Sequence, residues 1–193
     1  MGAVSGRVTD TTQRSGVTSD SEVVPMLRRI TQDDKSRLQR FHRRLSAETR
    51  YRRFHGAKGD LTSRELSYLT EIDGRRHVAV VAERADGELA AVARVVHESP
   101  GKAEVAVVVA DDCRGQGLGA RVVRAALLEY GFHRPCDAVQ AIVQTDNRPA
   151  LALFRSELGG RAVEAADGVI TFRLPPPEIA ATRADGDRLA AAA

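Results

Sequence analysis

AEVAVVVADDCRGQGLGA, residues Ala103 to Ala120, joins an apolar run to a helix through a glycine-rich turn. Val105 to Ala110 are small and β-branched, the composition of a strand buried on both faces. Asp111-Asp112 ends the run, and Arg114-Gly115-Gln116-Gly117-Leu118-Gly119 follows. Leu118, Val122, Ala126 and Tyr130 then recur every four residues, with Val123 and Leu127 beside them, which predicts an amphipathic helix. The amides of a helix's first turn have no intrahelical acceptor, and the peptide dipoles add positive charge there. Glycines clear side chains from those amides. The predicted product is a cradle for a diphosphate.

The rest of the chain alternates short elements. Glu22 to Ile30 is expected to be a first strand, at an edge because of Pro25. Thr31 is placed to cap a helix running to about Leu45, with Asp33 and Asp34 in its first turn and Leu38, Phe41, His42 and Leu45 on its apolar side. Ser46 can cap a short second helix bearing Tyr51 and Phe54. Thr62-Ser63-Arg64-Glu65 is a capping box for a third piece, Ser63 to Glu71. His77 to Glu83 and Leu89 to Glu98 are predicted strands around Asp86-Gly87, and Ser99 to Lys102 turns into the central strand. Ala138 to Gln144 is a further strand. Asn147 can cap a helix through Leu158, with Pro149 in its first turn. Arg161 to Glu164 and Val169 to Leu174 form a last hairpin around Asp167-Gly168.

Of 193 residues, 42% are hydrophobic, enough for one core. Residues 1–21 are expected to be a disordered tail, 22–174 the folded domain, and 175–193 a Pro/Ala-rich tail. Lys plus Arg is 29 and Asp plus Glu is 26, so a net charge of +3 gives no reason to expect nucleic acid. Arg28 to Lys58 holds eleven basic residues and three acidic ones. It is either a solvated helix face or a basic rim that meets phosphates or an acidic protein. Cys113 and Cys136 have no metal spacing and fit reduced thiols in a cytoplasmic protein. No apolar run approaches the length of a membrane span, about 20 residues, and no signal peptide is evident. No metal is expected.

The glycine turn lacks the Gly-Lys-Ser/Thr ending of a Walker A loop and the third glycine of a dinucleotide fingerprint. Arg114-x-x-Gly117-x-Gly119 instead resembles the acetyl-CoA loop of the GNAT superfamily of N-acetyltransferases. Asn147, Ala150, Leu151, Phe154 and Gly159 are similar to that superfamily's second signature. Phe154 stands where many members have a tyrosine acid. Ser46-x-Glu48-x-x-Tyr51-x-Arg53-Phe54, Leu61-x-x-Arg64-Glu65-Leu66 and His77-Val78-Ala79 resemble the acetyltransferase domain of bacterial Pat-type protein lysine acetyltransferases. The implied fold is an α/β (α+β) mixed sheet in the order β-α-α-β-β-β-α-β-α-β-β, with a splayed central strand pair.

The resemblance implies acetyl-CoA as acyl donor and a lysine of a protein such as an acyl-CoA synthetase as acceptor. It implies Glu104, in the context Ala103-Glu104-Val105-Ala106, as general base. A lysine ammonium, with a pKa near ~10.4, must lose a proton before it attacks. Val107, Val108 and Val109 would flank the pantetheine, with an amide near Val109 for the oxyanion. The amides of Arg114, Gly115, Gln116, Gly117, Leu118, Gly119 and Ala120 would hold the diphosphate. Asn147 and Phe154 would complete the cofactor site. His97 and His77 are alternative bases, and Arg52 and Arg53 could border the acceptor. No acidic cluster beyond Asp111-Asp112 is evident. Some Pat proteins carry a cyclic-nucleotide domain before the catalytic one; the short leader here predicts no such control in cis. A small-amine acetyltransferase of aminoglycoside or polyamine type, and a non-catalytic acyl-CoA sensor, are the alternatives.

Overall fold

The computed structural model describes residues 24–54, 59–133 and 138–176. Seven strands form one mixed sheet in the order β1-β2-β3-β4-β5-β7-β6. They are β1 (Met26–Arg29), β2 (His77–Glu83), β3 (Leu89–Ser99), β4 (Lys102–Val109), β5 (Ala138–Gln144), β6 (Arg161–Ala166) and β7 (Val169–Arg173). Helices α1 (Lys35–Arg44), α2 (Ala47–Phe54) and α3 (Ser63–Thr70) lie between β1 and β2. Helix α4 (Leu118–His133) joins β4 to β5, and α5 (Arg148–Ala152) follows β5, continuing as a π turn over Leu153–Glu157. The expectations for both tails and for Cys136 fall outside the described residues.

Local chemistry sets these boundaries. Thr62 and Glu65 form a reciprocal capping box at the head of α3. Ser46 accepts a hydrogen bond from the Thr49 amide at the head of α2. Asp86 and Gly87, the latter at φ 79°, turn β2 into β3. The strands around them read apolar on both sides because helices cover both faces. Val122, Val123 and Ala126 of α4 are buried on one face, and Leu38 and Phe41 of α1 are buried on the other. Each Val, Leu or Phe among them contributes roughly 1.5–3 kcal/mol on burial.

Two expectations are corrected. The run Val105–Ala110 is not uniformly buried: Val105 is inside, but Val107, Val108 and Val109 are half-exposed. The reason is the neighbour. β4 pairs with β5 in parallel only from Lys102 to Glu104, and the two strands then diverge. The basic run also does not form a free rim. Arg28 pairs with Asp34 and Glu83, Arg37 with Asp34, Lys35 with Glu71, Arg40 and Arg44 with Glu88, Arg43 with Asp60, and Arg52 with Glu48. Four of those acids, Asp60, Glu71, Glu83 and Glu88, lie outside the stretch, so the fold offsets part of the excess seen along it.

Candidate active site

The fork between β4 and β5 is the centre of the site. Ala138 donates from its amide to Gly101 O, and Ala110 donates to Ala90 O at 2.8 Å. Backbone amides alternate sides along a strand. The odd-numbered amides of β4 therefore face β5, and beyond the end of pairing those of Val107 and Val109 face the gap. An extended ligand in the gap would find donors spaced like those of a missing strand. The side chains divide likewise: Val109 contacts the α4 side, and Ala106 and Val108 face α1 and α3.

At the upper end of the fork the chain turns through Asp111–Cys113 into α4. Gly115 and Gly117 take φ of 76° and 68°, a conformation that side chains resist. The first helical bond runs from the Arg121 amide to Gly117 O at 3.2 Å. The amides of Leu118, Gly119 and Ala120 precede it and have no intrahelical acceptor. Gly119 is not held by crowding: a Cβ there would make only ordinary van der Waals contact, with Leu153 at 3.4 Å and Val109 at 3.6 Å. Gly115, Gln116 and Gly117 are exposed at the mouth, while Leu118 and Ala120 anchor the helix inside. This arrangement fits a diphosphate.

Arg114 does not point freely outward. It bonds the Thr49 hydroxyl and lies 2.8 Å from Asp111. Asp111 also accepts from the Ser46 amide at 2.8 Å, the Ser46 hydroxyl at 3.0 Å and the Thr49 hydroxyl at 2.7 Å. The glycine loop is thereby latched to α2. Asn147 accepts from the Ala150 amide at 3.3 Å as the cap of α5. Phe154 is 3% exposed, stacked on Phe172 with centroids 6.4 Å apart, so its ring belongs to the core beneath the π turn. Cys113 is buried below the loop, where burial pushes its thiol pKa up.

At the lower end of the fork stands Glu104, half-buried and opposite Val96. Its pKa is raised, first by burial and then by Glu98, whose carboxyl is hydrogen-bonded to it. Arg53 and Lys102 partly oppose the rise. Glu98 sits at an irregularity in the β3–β4 register, between the pairs His97–Ala103 and Ser99–Lys102. Such bulges re-aim side chains beside functional sites. This acidic pair is not legible in the sequence, because neither the bulge nor its register shows in the chain.

The histidines are placed apart. His97 lies opposite Ala103, on the sheet face away from Glu104, with Nδ1 3.3 Å from the Tyr130 hydroxyl of α4. His77 shares the Glu104 face but is held by Arg94 at 3.0 Å. Burial, and then Arg94, push its pKa down to about 4. Arg53 turns inward onto the same face, where burial lowers its pKa against the pull of Glu104. It lines a cavity between α1, α3 and the β3–β4 ladder, together with Arg94, Phe41, Leu69 and Val108. Arg52 pairs instead with Glu48. Among the described residues no cluster of three or more His, Cys, Asp or Glu could hold a metal, and no helix is long and apolar enough to cross a membrane.

The sequence is 34% identical over 138 residues to "Acetyltransferase Pat" of Mycolicibacterium smegmatis, covering 70% of this chain and 40% of that protein. It is 35% identical over 103 residues to "Acetyltransferase PA5475" of Pseudomonas aeruginosa, covering 51% of this chain and 55% of that protein. The chain thus spans about half the length of these relatives or less. The GNAT domain of S. lividans PAT superposes with a TM-score of 0.71 at 25% identity, covering 77% of this chain and 88% of that one. Residues 34–159, which contain the fork, the glycine loop and Asn147, match the acetyltransferase (GNAT) family model, and the chain belongs to that family of acetyl-CoA-dependent acetyltransferases.

Proposed function

We propose that this chain acetylates lysine side chains of a cytoplasmic protein of acyl-CoA synthetase type, with Glu104 as general base. One observation carries the reading: a half-buried carboxylate with a raised pKa stands where β4 and β5 part. A base poised nearer neutrality both accepts a proton and is present ionised.

Glu104, directly or through water, takes a proton from the lysine ammonium. The neutral nitrogen attacks the thioester carbonyl, the C–N bond forms, the C–S bond breaks, and the second proton of the nitrogen leaves to the departing thiolate or to water. The Val109 amide stabilises the oxyanion. Val107 to Val109 align the pantetheine, and the loop amides from Arg114 to Ala120 hold the diphosphate, with Asn147 at the fork's edge. Phe154 has no proton to give. The leaving thiol has a reference pKa near ~8.5, so the thiolate departs without a dedicated acid. No enzyme nucleophile is required, and transfer is direct.

The Glu98–Glu104 pair favours a second reading, a small polyamine as acceptor, since two carboxyls suit a mobile cation. Incubation with labelled acetyl-CoA and a cell extract tests both. Label in protein supports the first reading, label in small amines the second, and binding without any transfer leaves an acyl-CoA sensor.

A further inference from the structure

Arg94 is 6% exposed and lies on the Glu104 face of β3. Its hydrogen bonds go to His77 Nε2 at 3.0 Å and Leu69 O at 3.4 Å, neither of them an anion. No described carboxylate pairs with it. The contrast with its surroundings is sharp: Arg28, Arg40, Arg43 and Arg44 each have an acid. Arg53 adds a second positive charge beside Arg94 rather than cancelling the first. His55 to Lys58, which follow α2 in the chain, include no acid. Burial and Arg53 push the Arg94 guanidinium down to about 9, so it remains charged at neutral pH.

A buried guanidinium without a counter-ion is costly, and removing water strengthens its pull on any anion that arrives. Its planar fork matches a carboxylate. Besides Arg53 and His42, the cavity it lines is walled by apolar side chains, among them Leu38, Phe41, Val92 and Val108. We infer that this cavity is a carboxylate subsite in which Arg94, backed by Arg53, receives the anionic end of a short aliphatic substrate chain. Arg94 faces Ala106, two residues along β4 from Glu104. Diagonal neighbours on a ladder lie about 7–8 Å apart, so the anion sits one short chain away from the base. The carboxylate comes from one of two sources, an acceptor amine that carries one or an acyl group that ends in one. The inference rests on the acyl-transfer reading for its geometry.

The test compares matched pairs in two arms. In the acceptor arm, ω-amino acids of increasing length are each set beside their carboxamides, with acetyl-CoA as donor. In the donor arm, succinyl-CoA is set beside butyryl-CoA. Turnover and thermal stabilisation are both measured, the latter needing no reaction. The wild-type protein should favour the carboxylate member of at least one pair by about tenfold to a hundredfold, the range of a charge-assisted hydrogen bond. The arm that responds identifies the source. Arg94→Leu should bring that ratio to near one, and Arg94→Lys, which keeps the charge without the fork, should retain part of it. Differential stabilisation without turnover supports the subsite and refutes the transfer reading. Equal behaviour of both members in every pair, or a ratio unchanged in Arg94→Leu and Arg94→Lys, overturns the subsite.

Discussion

The carboxyl group of Glu98, at the register irregularity of β3, is hydrogen-bonded to that of Glu104 on β4. A carboxyl beside another resists ionisation, so Glu104, already disfavoured as an anion by burial, holds its proton more tightly than it would alone. Glu98→Gln removes the like charge. The acid limb of the kcat/KM profile is expected to move to lower pH, toward the ~4.3 of an ordinary glutamate. A profile recorded from pH 4 to 9 checks this. An unmoved limb would mean that Glu98 does not tune the group that titrates.

Asp111 and Thr49 tie the glycine loop to α2, and Arg114 closes the same knot. Asp111→Ala leaves the Ser46 and Thr49 donors and the Arg114 charge without their acceptor. Loss of about 1–3 kcal/mol of stability is expected. The KM for acetyl-CoA should rise more than kcat falls, because the loop loses its anchor before the chemistry is touched. Urea denaturation and initial-rate kinetics together read both effects.

The glycines of the loop are not equivalent. Gly117→Ala places a side chain at φ 68° and should weaken acetyl-CoA binding while costing roughly 1–2 kcal/mol of stability. Gly119→Ala meets only side-chain tips at 3.4 Å and should be tolerated. Gly160→Ala would put a Cβ 2.5 Å from Phe154 O, a backbone atom, and should destabilise by about 1–3 kcal/mol without a direct effect on binding. Thermal melts with and without acetyl-CoA separate the three.

Stability should depend on pH through His77 and Asp34 in successive windows. The native His77 pKa is about 4, against ~6.5 in an unfolded chain. Between those values the unfolded chain takes up a proton that the native protein refuses, so stability falls as pH drops from 6.5 to 4. For Asp34 burial works against ionisation. It is outweighed by hydrogen bonds from Arg28, the Thr31 amide and Arg37, which together hold the pKa at about 2. Its contribution is present above ~3.9 and is lost toward pH 2. Glu104 acts with the opposite sign, since its native pKa is raised. Denaturation midpoints for wild type and His77→Gln at pH 7 and pH 5 test the first window: the variant should lose less on acidification.

Much of this arrangement was legible in the chain because it rests on local chemistry. Thr62 with Glu65, Asp86-Gly87 and the Gly115–Gly119 turn each announce a backbone conformation within a few residues. The unreadable parts depend on partners far away. The exposure of Val107 to Val109 follows from where β5 leaves the ladder, which no residue of β4 encodes. The basic run looked like a charged face because Glu71, Glu83 and Glu88 lie outside it in sequence. Arg94 sits in the apolar strand Leu89–Ser99 and gave no sign of the cavity it lines. His97 looked like a neighbour of Glu104 but falls on the other face of the sheet, a consequence of the period-two alternation of strands.

The measurement that tests the central claim most directly is single-turnover transfer by Glu104→Gln beside wild type, with acetyl-CoA affinity measured on the same samples. The substitution keeps the side-chain shape and the amides of the fork but removes the proton acceptor. Affinity should stay within about twofold, a change too small to register as lost contacts, while the rate falls by about a hundredfold to ten-thousandfold at pH 7. A variant that transfers acetyl groups as fast as wild type would contradict the assignment of Glu104.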